Sequence, residues 1–300
     1  MCDTSYLLSG DALSELKKLP DGFAQCCVTS PPYWGLRDYG MPGQLGLETT
    51  PGEYVASLLP VFAEVWRVLR DDGTLWLNLG DSYIGCHGNI DGLKNKDLAG
   101  IPWRVAFALQ DAGWYLRSDC IWNKPNPMPE SVRDRPTRAH EYLFLLSKNP
   151  RYYYDADSVR EPTVGMRGGR VLSLEAVSFG RSVREPDRPN CRSRQHRPER
   201  SKNVVLSMTR NRRSVWTVAT QKGAGAHFAT FPPELIRPCI KAGAPQGGLV
   251  LDPFFGTGTV GIVCLKEGRR FCGIEINPEY VVMARQRLSG TKPRSELSLF

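Results

Sequence analysis

No stretch of the 300-residue sequence approaches the roughly 18 consecutive apolar residues that a membrane-spanning helix needs. The opening MCDTSYLLSGD lacks a basic segment ahead of an apolar one, so an export signal is not expected. Nine cysteines, an odd number, occur without one Cys-x-x-Cys pair or any Cys/His spacing suited to zinc. Cys26-Cys27, Cys264 and Cys272 stand in apolar surroundings, where a free thiol behaves as a small core residue. His87 lies beside Cys86 without a third ligand at useful spacing, and neither His140 nor His196 does better, so no metal is expected. Together these absences point to a reducing cytoplasm.

What the chain does have is 41% hydrophobic residues, enough for a substantial core, and a formal charge of +8 that is unevenly spread. Residues 160–213 hold thirteen arginines and Lys202 against five acids, a balance of +9, which leaves the remainder near neutral. Arginine offers a planar fork of donors suited to phosphate and to guanine edges. The segment is therefore either a solvated basic loop or a nucleic-acid-contacting module set into another fold. The spacing of Arg188, Arg192, Arg194, Arg197 and Arg200 matches no helix-turn-helix or zinc module. They would grip phosphates, or one pair would read guanine edges.

Strand and helix patterns alternate through the rest. YLLSGD reads as a strand and ALSELKKLP as a helix with Leu13, Leu16 and Leu19 on one side. QCCVTS is the next strand. GEYVASLLPVFAEVWRVLRDDG has helical period, with a kink or break expected at Pro60 and a turn at Asp72-Gly73. TLWLNLGD, IPWRVAFALQDAGW and YLRSDCIWNKP follow as strand, helix and strand. HEYLFLLSK and the tyrosines 152–154 suggest a further strand pair. LVLD, GIVCLKEG and FCGIEI continue the alternation, and Asn277-Pro278 opens a last helix.

Such alternation specifies an α/β fold, a mostly parallel sheet covered on both faces, which binds ligands beyond the carboxyl ends of its strands. Asp11, Ser30, Asp81, Asp252 and Glu275 fall on that rim. Asp81 is read as orienting Ser82, lining a pocket or forming a turn. Trp122 and Lys124 either meet a ligand or finish the sheet. Between 156 and 213 the periodicity fails.

DPFFGTGT follows one strand and opens a helix. Its glycines allow a tight turn and a close ligand approach, and Asp252 fixes the loop or meets a cation. No Gly-Lys-Ser/Thr follows, which excludes a Walker loop. Glu275, 23 residues after Asp252 at the next strand end, is placed to accept from both hydroxyls of a ribose. A nucleoside ligand without phosphates suits a site lacking a phosphate-gripping lysine.

These motifs resemble those of the DNA amino-methyltransferases that use S-adenosylmethionine, in the permuted order of their beta class. TSPPYW resembles the catalytic motif, and LDPFFGTGT with GIEINPEY the cofactor pair. HFATFPPELI, GDALSELKKLP and RPTRAHEYLFLLSKNPRYYYD also have counterparts, so the likeness spans residues 5–155 and 214–290. It implies a Rossmann-like, circularly permuted methyltransferase fold. Residues 1–155 would be the catalytic half, 156–213 the target-recognition insertion, 214–290 the cofactor half and 291–300 a tail. By the same resemblance S-adenosylmethionine would be held by Asp11, His227, Phe228, Phe231, Asp252, Pro253, Phe254, Gly256, Gly258, Thr259, Glu275 and Asn277.

In this family the target is an exocyclic amine whose lone pair is spread into the base ring. Transfer needs that lone pair localised and in line with the methyl group. Ser30 and the Pro31 carbonyl would accept the two amine protons, Pro31-Pro32 would fix those acceptors, and Tyr33 would stack on a base flipped from duplex DNA. Trp34 would extend that wall as a DNA contact. Serine at position 30, where adenine-specific members usually carry aspartate, favours cytosine N4, with adenine N6 the alternative. Carbon-5 transfer needs a nucleophilic cysteine, and Pro238-Cys239 reads as core. RNA or protein substrates, and a binding-only relative, are the remaining readings. Double-stranded DNA is the expected partner, with a cognate restriction endonuclease in some systems; monomer and homodimer both stay open.

Overall fold

The computed structural model describes residues 5–36, 38–85, 90–162, 209–220 and 231–291. These fall into two compact units, Arg160–Arg212 and the rest of the chain.

The larger unit is built on one sheet of eight strands. In chain order its strands are β1 (Tyr6–Ser9), β2 (Ala24–Thr29), β3 (Leu69–Leu79), β4 (Tyr115–Asn123), β5 (His140–Ser147), β8 (Val215–Thr217), β9 (Leu249–Asp252) and β10 (Arg270–Glu275). Across the sheet they run β1-β10-β9-β2-β3-β5-β4-β8. Every pairing is parallel except those of β5, which lies antiparallel between β3 and β4. The expected mostly parallel α/β sheet is present.

Six helices cover it: α1 (Ala12–Leu16), α2 (Pro51–Val68), α3 (Ile101–Asp111), α4 (Pro233–Gly243), α5 (Thr259–Lys266) and α6 (Pro278–Ser289). One hydrophobic cluster gathers the apolar sides of α1, α2 and α3, and a second those of α4, α5 and α6. Lying between the two layers, β2 is buried at all six positions, Cys27 facing one cluster and Cys26 and Val28 the other. A central strand covered on both faces reads as a continuous apolar run for this reason.

Three local expectations change. α2 runs unbroken through Pro60, which sits on the exposed side while Tyr54, Leu58, Val61, Phe62 and Val65 bury the opposite one. That packing, with the Thr50/Glu53 capping box at the start, outweighs one lost backbone hydrogen bond. Asp72-Gly73 is not a turn after the helix but part of β3, at an irregularity where pairing with β2 jumps from Ala24↔Leu69 to Cys26↔Thr74. Tyr152–Tyr154 form no strand: the Tyr153 N–H donates to the Asp72 carbonyl, tying the segment to that same irregular stretch.

In the smaller unit, β6 (Glu161–Pro162) and β7 (Thr209–Arg210) pair antiparallel, with Arg210 bonded to Glu161 at 2.8 Å. Arg188, Arg192, Arg194, Arg197 and Arg200 lie outside the described residues.

Candidate active site

The carboxyl ends of β2, β9 and β10 open on a cavity of about 280 Å³. Its lining brings together Asp11, Ser30, Pro31, Pro32 and Tyr33 from the first half of the chain. From the second half it takes Phe231, Asp252, Pro253, Phe254, Gly256, Thr259, Glu275 and Asn277. Gly258 sits just behind, as the N-cap of α5. His227 and Phe228 lie outside the described residues.

The glycine loop owes its shape to two carboxylates. Asp252, 1% exposed, accepts from the Phe254 N–H at 3.1 Å and from the Thr29 hydroxyl at 2.7 Å. Burial pushes its pKa up to about 7, against the lowering effect of those two bonds. Glu275 accepts from the Gly256 N–H through one oxygen at 2.7 Å and from the Asn277 N–H through the other at 2.8 Å. Burial raises its pKa as well. Gly256 and Gly258 have φ of 52° and 85°, a left-handed region that glycine enters without strain. Asn277 also caps α6 by accepting from the Glu279 N–H at 2.9 Å, while Asp11 caps α1 through the Ser14 N–H at 2.9 Å.

At the end of β2, Tyr54 donates to the Pro32 carbonyl at 2.8 Å and pins the double-proline turn to α2. Tyr33 is held at both ends. A Cβ on Gly80 would come within 2.5 Å of its ring, so the ring lies close against bare backbone. Its hydroxyl donates to Glu141 at 2.7 Å and lies 3.2 Å from Asn78 Oδ1 and 3.5 Å from Ser30 Oγ. Burial, and then the Glu141 charge, raise the Tyr33 pKa well above that of an ordinary phenol. Glu141 also pairs with Lys124, which stands 4.4 Å over the Trp122 ring. Trp122 and Lys124 both line the cavity, and both belong to β4 or its end.

Sequence reasoning missed Glu141 and Asn78. Each sits on a strand in an apolar run: the parallel pairing of β2 with β3 brings Asn78 to Tyr33, and the antiparallel pairing of β3 with β5 adds Glu141. Two other expectations are corrected. Trp34 is no exposed wall: it is 8% exposed in the cluster under α1–α3, its indole N–H donating to the Glu48 carbonyl at 2.9 Å. Asp81 does not line the cavity. It accepts from the Ser82 and Ile101 N–H groups, capping α3, whose own N-cap residue Gly100 has no side chain to do so. Cys239 is fully buried in α4 and is no nucleophile for the cavity.

Among the described lining residues Lys124 is the only Lys or Arg, and it is committed to Glu141, so the glycine loop carries no phosphate-gripping cation. A phosphate-free nucleoside fits this lining. The carboxylate oxygens of Glu275 retain lone pairs for hydroxyl donors after accepting the two backbone bonds.

The family model for N6/N4 DNA methylases matches residues 24–286. The chain is 51% identical to the type II methyltransferase M.XycI of Xanthomonas campestris pv. cyanopsidis, over 95% of this chain and 88% of the relative. A Thermus thermophilus protein, described as a DNA modification methylase and solved with S-adenosyl-L-methionine, superposes with a TM-score of 0.60 at 26% identity. That match covers 99% of this chain and 98% of the other. The PvuII DNA methyltransferase (cytosine-N4-specific) shares the fold, with a TM-score of 0.66 at 20% identity over 98% of this chain and 90% of its own. The chain therefore belongs to the N6/N4 DNA methylase family, enzymes that move a methyl group from S-adenosylmethionine to an exocyclic amine of a DNA base.

Proposed function

We propose that this enzyme methylates N4 of cytosine within a short duplex sequence. The observation that carries the reading is Ser30, rather than aspartate, opening a Ser-Pro-Pro-Tyr turn that lines the same cavity as the glycine loop. Ser30 Oγ and the Pro31 carbonyl accept the amine protons and localise its lone pair, and Tyr33 stacks on the flipped base. Because Tyr54 and the two prolines fix the turn, these acceptors need no reorganisation as positive charge develops on the amine.

Bound S-adenosylmethionine supplies an electrophilic methyl group. Glu275 would hold its ribose, the Gly256–Gly258 backbone would receive its sulfonium-bearing chain, Asp11 would meet the adenine amine, and Phe231, Pro253 and Phe254 would supply apolar walls. Thr259 and Asn277 would complete the floor; His227 and Phe228, the other two residues assigned to the cofactor, lie outside the described residues. Residues 156–213 serve as the target-recognition insertion between the catalytic and cofactor halves. Family members occur in restriction–modification systems, in phages and as solitary enzymes, so a restriction endonuclease cutting the same site is one companion to test for.

Digestion of methylated DNA to nucleosides, followed by mass spectrometry against standards, tests the target atom. N4-methylcytosine is expected. N6-methyladenine would overturn the reading and show that serine at position 30 admits adenine.

A further inference from the structure

A serine hydroxyl is ambiguous where an aspartate is not. It carries one proton and can either donate to a target amine or accept from it. Holding an amine for transfer requires acceptance, so something in the protein must claim the serine proton. The hydrogen bonds behind Ser30 do this in sequence. Glu141 as a carboxylate only accepts, so the single proton of the Tyr33 hydroxyl is drawn to Glu141 Oε2 at 2.7 Å. The Tyr33 oxygen then offers lone pairs, and Ser30 donates its own proton to it at 3.5 Å. What remains on Ser30 Oγ, toward the cavity, is lone pairs alone.

We infer that Glu141 is a positioning residue that fixes the direction of this chain, making Ser30 an acceptor for the target amine through Tyr33. The surrounding contacts suit the task. Lys124 holds the other oxygen of Glu141, and the Asn78 amide donates to Oε2 at 3.2 Å and to the Tyr142 carbonyl at 3.0 Å. The carboxylate is thereby kept in one orientation, its side chain 12% exposed, and its burial is offset by charged and polar partners. The inference rests on Ser30 receiving the amine and is indifferent to which base carries it. Product identity and the function of Glu141 can therefore fail separately.

Double-mutant cycles read by single-turnover methylation of duplex DNA provide the test. Glu141→Gln keeps the size but can donate as well as accept, and Tyr33→Phe keeps the ring but cuts the chain. Each should slow the transfer step roughly tenfold or more. S-adenosylmethionine affinity by calorimetry should stay close to that of the unaltered enzyme in both variants, while Glu141→Gln, which leaves Lys124 without its charge partner, should melt at a lower temperature. Because both variants break one chain, the double variant should be no slower than Tyr33→Phe alone, and Glu141→Gln should add nothing in a Ser30→Ala background. Losses that multiply, or a Glu141→Gln rate within about twofold of the unaltered enzyme, would overturn the inference. Should Glu141→Gln fail to fold, the paired change Glu141→Gln with Lys124→Met, which removes both charges together, takes its place in the same cycles: non-multiplying losses support the chain, and multiplying losses refute it.

Discussion

Thr29 donates its hydroxyl proton to Asp252 at 2.7 Å, joining the last residue of β2 to the last residue of β9 across 223 positions of sequence. The bond locks the Ser-Pro-Pro-Tyr turn, which begins at the next residue, to the glycine loop that we assign to the cofactor. The two reacting partners are thus registered by adjacent strands.

Asp252 makes this registration sensitive to pH. Its folded pKa of about 7 lies above the ordinary carboxylate value, so the folded protein holds a proton that the unfolded chain has already lost. The resulting stability is fully present below about pH 4 and is lost as pH rises through about 7. Urea unfolding of the ligand-free protein should show a loss on the order of 2–3 kcal/mol between about pH 5 and pH 8 from this group. Asp252→Asn still accepts from Thr29 and Phe254 but does not titrate, and should flatten the profile. Glu275, also raised, leaves a residual slope of the same sign.

Glu275→Gln should weaken S-adenosylmethionine binding by about 1.5–3 kcal/mol, as expected for a hydrogen bond to a charged group. The amide would also set an N–H against one of the backbone donors at Gly256 or Asn277. Titration calorimetry measures this directly. An unchanged affinity would remove the ribose from this residue.

Gly80→Ala should act on the base rather than on the cofactor. The new methyl group would press on the Tyr33 ring, which is tethered at its hydroxyl and cannot simply swing aside. A stability loss of about 1–3 kcal/mol is expected, as for other overpacked sites, with slower transfer to DNA. Cofactor affinity should survive. A variant with wild-type transfer kinetics would show that the ring's position is not limiting.

Replacing Arg188, Arg192, Arg194, Arg197 and Arg200 with serine should weaken DNA binding and reduce the salt slope by roughly one unit for each phosphate no longer gripped. Cofactor binding is expected to persist, because its site lies in other segments. Retention of full affinity with the same slope would send the search for the DNA groove elsewhere.

The elements legible in the sequence were those with local signals. Asp-Pro after an apolar run, paired glycines before a helix and an acid at the next strand end marked the loop around Asp252, Gly256 and Glu275 without knowledge of pairing. Pro60 misled because its local cost is visible in sequence while the burial of Phe62 and Val65 is not. Trp34 misled for a related reason: adjacency to Tyr33 does not reveal that the chain turns it inward to Glu48. Glu141 stayed hidden because its meaning depends on Tyr33, 108 residues away. A carboxylate in a strand announces nothing until the neighbouring strand is known.

The sheet order bears on how the protein is made. Strand β2 is synthesised well ahead of β9, yet one of its flanks waits for that strand, and among the described strands β1 pairs with β10 alone. Until residues 249–275 leave the ribosome, a nascent chain presents two unsatisfied strand edges, one of them in the middle of the future sheet. Such edges invite pairing with other chains. With the methyl donor on the loop between β9 and β10, as proposed, the unfinished polypeptide also lacks a place for it. Completion of the sheet is therefore a late event in the synthesis of the chain.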